Sequence, residues 1–128
     1  MTEKGTSATA LTMERADNFI SAYANYITYE PTAWDLKIVF GQVEQVSGAD
    51  VVKQKVAITI PWSVAKLALF YLRAHVESAE IQIGKIALRK DVIPAELPPL
   101  TPAQEADPDA KRLHKLIQKL RKEFVTSL

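Results

Sequence analysis

The residues with chemistry to offer are few and scattered. His75 and His114 are the only two histidines. A general base or a metal site needs a matched partner at fixed spacing, and neither histidine has one. His75 falls on an apolar helical stripe, where a core or interface role is the better fit. Glu77 and Glu80 lie three apart and have the spacing of a carboxylate pair, but a solvated helix face explains them more simply. Asp35 follows Trp34 in a turn-like setting, where its carboxylate would bond backbone N–H groups at the entry to a strand. Tyr23, Tyr26 and Tyr29 have the residue type of a base-stacking platform. They alternate faces, however, and Glu30 lies beside them, so cross-strand packing is favoured. No His-Glu-x-x-His pattern, glycine-rich phosphate loop or nucleophile elbow occurs. The expectation is a protein that is not an enzyme, with no catalytic, metal or cofactor residues.

The elements that would position these groups follow from periodicity. Tyr23–Glu30 has period two and ends at Pro31, which lacks a donor. Trp34–Val43 alternates Trp34, Leu36, Ile38 and Phe40 against a wetter face. Val51–Ile60 places Val52, Val56, Ile58 and Ile60 on one face. Gly48-Ala49-Asp50 reads as the turn between them, so the two strands pair antiparallel. Pro61 marks the start of a helix over Ser63–Ile83, with Ser63 at the cap. Val64, Leu67, Tyr71, Leu72 and Val76 recur at helical spacing, and Leu69 and Phe70 widen the apolar arc beyond what one sheet face requires. Gly84 fits a helix stop.

The fold class expected is α+β: a small antiparallel sheet of about three strands covered on one face by a long α-helix, plus a separate C-terminal amphipathic helix. The organisation reads as a disordered leader over 1–12, one domain over 13–93, a proline-rich acidic linker over 94–108 and a basic amphipathic helix over 109–128. Asp107-Pro108-Asp109 opens that last helix, with proline in the first turn. The segment 13–22 reads as a short turn of helix or a lead into the first strand, and 86–93 as a further strand or packed chain.

Composition is ordinary for a globular chain of 128 residues: 48% hydrophobic, 24% charged, net charge +1. The absence of cysteine rules out disulfides and thiolate metal sites, and points to a reducing compartment. No apolar run approaches the ~20 residues that span a bilayer, and the N-terminus lacks a basic, then apolar, signal pattern. The expected location is cytoplasmic. Net charge hides an asymmetry. Residues 111–128 hold six basic residues against Glu123 alone, a net +5, leaving −4 for the rest.

That basic helix is the best functional signal. Its stripe, Leu113, Leu116, Ile117, Leu120 and Phe124, with Lys115, Lys119, Arg121 and Lys122, makes the expected partner-binding set. Docking on protein is favoured over nucleic acid, and a helix without tryptophan is a weak membrane binder. A three-stranded sheet with one covered face leaves its other face and edges open, including Tyr26 and Val39 as the expected oligomer surface. A homo-oligomer, most simply a two-fold dimer, is expected.

The pattern Tyr23-Ala24-Asn25, Trp34-Asp35-Leu36, Phe40-Gly41, Pro61, Ala65-Lys66 and Gly84-Lys85-Ile86 resembles a family of small bacterial and archaeal proteins known only as a domain of unknown function. The likeness covers about half of the chain, with Ala79 standing where that family tends to place tyrosine. It implies no activity and no site residues. Tyr23, Ile27, Tyr29, Glu30 and Pro31 also resemble the opening strand of SecB-type chaperones, which would imply peptide binding. The readings are therefore a non-enzymatic interaction or assembly module, a nucleic-acid-associated factor, or a SecB-like peptide-binding chaperone.

Overall fold

A computed structural model describes residues 10–128; most of the expected leader, residues 1–9, lies outside them. The order is β1 (Tyr26–Pro31), β2 (Asp35–Val46), β3 (Ala49–Pro61), α1 (Trp62–Ile83), a 3-10 turn (Lys90–Val92), α2 (Pro102–Glu105) and α3 (Pro108–Ser127). The fold is α+β: a three-stranded antiparallel sheet in the order β1-β2-β3, a long helix and a separate C-terminal helix. The chain divides into two compact units at Leu67/Ala68.

In the first unit, β1 is shorter than expected. Asn25 stands just outside it, yet its backbone N–H donates to the Gly41 carbonyl and its side-chain oxygen accepts from the Val43 N–H, both at 2.9 Å. A side chain thus extends the ladder that the strand begins. The β2–β3 turn is Ser47-Gly48, with φ of 53° and 80°, and not Gly48-Ala49-Asp50. Two residues with positive φ match the right-handed twist of the flanking strands, so Val46 pairs directly with Ala49.

The sheet register slips at Phe40/Gly41: Phe40 pairs with Val56 but Gly41 pairs with Gln54, leaving Lys55 as the extra residue of a bulge. Gly41 is buried, and a Cβ there would lie 2.8 Å from Val52 Cγ1 and 2.9 Å from the Lys53 carbonyl oxygen. Lys55 reaches across β2 to donate to the Tyr23 carbonyl at 2.9 Å. The bulge also turns Val52 opposite Val43, off the face it was expected to share with Val56.

The turn into β2 is organised by Thr32 and not by Asp35. The Thr32 hydroxyl accepts from the backbone N–H groups of Trp34 (3.1 Å) and Asp35 (3.0 Å), and donates to the Asp35 carboxylate at 2.8 Å. A hydroxyl both donates and accepts, whereas an ionised carboxylate only accepts. Asp35 is therefore the acceptor within a threonine turn.

α1 follows β3 without a loop, starting at Trp62, so Ser63 sits inside the first turn instead of capping it. Gly84, at φ 101°, ends the helix, and its N–H bonds the Glu80 carbonyl at 3.0 Å. The Glu80 carboxylate then accepts the Ile86 N–H at 3.0 Å, closing the exit. Residues 86–93 add no strand, only the 3-10 turn. The 13–22 segment forms a single turn, closed by the Phe19 N–H on the Ala16 carbonyl.

Candidate functional site

Paired residues share a face of the sheet, so the register builds one face from three rows. They are Pro31, Leu36 and Ile60; Tyr29, Ile38 and Ile58; and Ile27, Phe40 and Val56. All nine positions are apolar or aromatic. The opposite face has Glu30, Lys37 and Thr59 in one row, with Lys37 and Glu30 3.7 Å apart as an ion pair. Its middle row is Thr28, Val39 and Ala57.

Val39 is only 7% exposed and is the one buried apolar side chain among the described residues. It was expected at an open surface with Tyr26; Tyr26 is exposed, but Val39 is not available. Val39 shares its face with Gly41, which is also buried, whereas Ile38, equally central on β2, is half-buried on the other face; the closer-packed side of the sheet is that of Val39. The open apolar face is the other one, where Ile27, Tyr29 and Ile58 are exposed and the remaining strand side chains of the β2 and β3 rows are half-buried.

In the second unit, α3 begins as expected. Asp107 is its cap, accepting from the Asp109 N–H at 3.0 Å, and Pro108 occupies the first turn. α2 carries a capping box between Thr101 and Gln104, so the expected 94–108 linker holds a helical turn of its own. The prolines ahead of it lie along α3. His114 Nε2 donates to the Pro98 carbonyl at 3.0 Å, Arg121 Nε to the Pro94 carbonyl at 2.8 Å, and Arg121 Nη1 is 3.8 Å from the Glu96 carboxylate. Four residues of extended chain at ~3.1 Å each span about 12 Å, against about 10.5 Å for the seven helical residues between the two anchors. The lengths agree, so both bonds form on one helix face.

Helical steps of about 100° per residue then divide α3 into three arcs. His114, Gln118, Arg121 and Val125 line the first, beside the extended segment and a groove of about 380 Å³ that also touches Glu96 and Leu97. Leu113, Leu116, Ile117, Leu120 and Phe124 make the second, and all five are exposed. Lys111, Arg112, Lys115, Lys119 and Lys122 make the third, also exposed. Of the expected partner-binding residues, Arg121 is the exception: it is half-buried and committed to Pro94 and Glu96.

The residues with catalytic chemistry are not brought into a site. His75 and Glu77 are exposed on α1, with Glu77 bonded to Arg73, whose guanidinium is held above its ordinary pKa chiefly by that hydrogen bond. Glu80 is taken by the Ile86 N–H, and Asp35 by Thr32. No group of three or more possible metal-ligating side chains occurs among the described residues, and no helix among them is long and apolar enough to cross a membrane. Thr32 and Lys55 were missed from sequence; a threonine two and three residues before the N–H groups it accepts is the one available signal, and the Lys55 bulge had none. No protein-family model, curated protein or solved structure matches this chain.

Proposed function

We propose that the protein is a non-enzymatic interaction and assembly module whose working form is a homo-oligomer, most simply a two-fold dimer. The observation that carries this reading is the apolar surface left exposed on the nine-position face of the sheet and along α1, together with a core in which Val39 alone among the apolar side chains of the described residues is buried. Ordering each residue costs about 1–2 kcal/mol of backbone entropy, and burial of apolar surface must offset it. Apolar surface left open in one chain is then covered by another copy. The test is light scattering at micromolar concentration, with a dimer or larger species expected. A monomer overturns the reading.

A second reading rests on the basic arc of α3, where Lys111, Arg112, Lys115, Lys119 and Lys122 point away from the apolar stripe. It makes the chain a nucleic-acid-associated factor. Phosphate contacts release counterions, so such binding weakens steeply with salt. Binding that persists at high salt and survives deletion of residues 109–128 counts against it. The likeness to SecB-type chaperones supports a variant of the first reading, in which the apolar sheet face takes an extended peptide; failure of an unfolded polypeptide to compete for that face would remove it.

A further inference from the structure

We infer that the two-fold contact of the oligomer is made by α1 pairing antiparallel with α1 of a second copy, along the seam Ala65, Leu69, Leu72, Val76, Ala79 and Ile83. This rests on the oligomeric reading above and names its surface. None of the 22 residues of α1 is buried. Leu69, Leu72, Val76 and Ile83 are exposed, by 69%, 64%, 42% and 81%. An amphipathic helix on one layer needs an apolar arc of about 100°. At about 100° per residue, the apolar positions of α1 from Phe70 round through Leu67 and Tyr71 to Leu69 cover about 260°, enough for two layers.

The seam has the spacing 4-3-4-3-4, the heptad repeat that keeps one stripe facing a partner helix. Its residues alternate in size in a way that decides direction. Antiparallel pairing sets Ala65 against Ile83 of the second copy, Leu69 against Ala79, and Leu72 against Val76. Every layer then mates a smaller side chain with a larger one, which fills the space evenly. Parallel pairing would stack alanine on alanine at 65 and 79 and leave voids there, each a destabilising cavity.

Charge agrees. Lys66, Arg73 and Glu80 lie on the same flank of the seam; in the antiparallel pair Lys66 of one copy meets Glu80 of the other, twice over by symmetry, while Arg73 faces its own copy at the two-fold axis with its charge offset by Glu77. A parallel pair offers no such match. One Glu80 oxygen is taken by the Ile86 N–H; the carboxylate keeps acceptor capacity for the lysine.

The absence of cysteine allows a direct test. Ala65→Cys/Ile83→Cys, treated with a short bismaleimide, is expected to give a covalent dimer, while Ala65→Cys alone and Ile83→Cys alone are not. The two positions are about 27 Å apart along one helix, so the link cannot form within a chain. Linkage by Ala65→Cys alone means parallel pairing and overturns the inference. A dimer by light scattering with no link in the double variant also overturns it, while leaving the oligomer standing; a monomer fails the oligomeric reading itself. Lys66→Glu, on an exposed position, is expected to raise the dimer Kd about tenfold at low salt with helix content unchanged. An unchanged Kd overturns the proposed flank contact.

Discussion

The Trp62 indole N–H donates to the Thr32 carbonyl oxygen at 3.1 Å, so the first residue of α1 is fastened to the turn between β1 and β2. That turn is itself closed by the Thr32 hydroxyl on two backbone N–H groups and one carboxylate. Thr32→Val keeps the shape and removes the hydroxyl. Because the bonds are solvent-exposed, the expected loss is about 1 kcal/mol, read as a lower urea midpoint. Trp62→Phe is expected to cost a similar amount through the single indole bond and lost packing. If Thr32→Val leaves the midpoint unmoved, the turn does not depend on the hydroxyl.

Gly41 is required by close approach and not by an unusual φ. A methyl group there would press on the Lys53 carbonyl oxygen, which belongs to backbone and cannot swing aside. Gly41→Ala is expected to destabilise by about 1–3 kcal/mol, the usual cost of overpacking, and to disturb the bulge at Lys55. Chemical denaturation measures the first, and amide shifts around Gln54–Val56 report the second.

Arg121 holds the chain at Pro94 and Glu96 from a half-buried position. Arg121→Ala is expected to release residues 94–98 from α3, seen as faster hydrogen exchange there and a new protease-sensitive site. His114→Ala acts at the other anchor and is expected to loosen the same stretch from the Pro98 end. Unchanged exchange in both variants would show that the backbone of 94–98 is held by other means.

Asp91 accepts two hydrogen bonds from Arg89, at 3.0 and 2.6 Å. The Arg89 hydrogen bond holds the Asp91 carboxyl below its ordinary pKa. A carboxyl lowered in the folded state contributes stability above its unfolded pKa and loses it as pH falls through the folded value. The clamp is therefore intact at neutral pH and opens only on acidification below the ordinary aspartate range. An NMR titration of the Asp91 carboxyl reads this locally, and Arg89→Gln is expected to return its midpoint toward the ordinary value.

Where side-chain type repeats with the period of the backbone, sequence and structure agree. Leu36, Ile38 and Phe40 alternate, and so do Val56, Ile58 and Ile60; the register sets them opposite one another. Gly84 and the Asp107-Pro108 start are local steric and hydrogen-bonding facts, and both fall where expected. What sequence could not supply was relationship across distance. The extra residue at Lys55 breaks the count of two, so Val52 lands on the other face. Burial of Val39 falls on the face that alternation assigns to Asp35 and Lys37, the wetter one. The docking of 94–98 on α3 arises from proline carbonyls, which remain acceptors although their residues lack an N–H. Composition alone reads that segment as a spacer, because nothing in a run of prolines announces a partner sixteen or more residues away.

The matched lengths of that segment and α3 have a consequence for how the chain can change. Adding one residue between Pro94 and Pro98 lengthens the span by about 3 Å, twice the rise of a helical residue. To follow it, an anchor would have to move two positions along α3, which swings it about 200° to the far side of the helix. Neither His114 nor Arg121 has a substitute that lies at both the new height and the old angle. The stretch that looks most like a free connector is thus a gauge, intolerant of insertion. Added length is admitted only outside the two anchors.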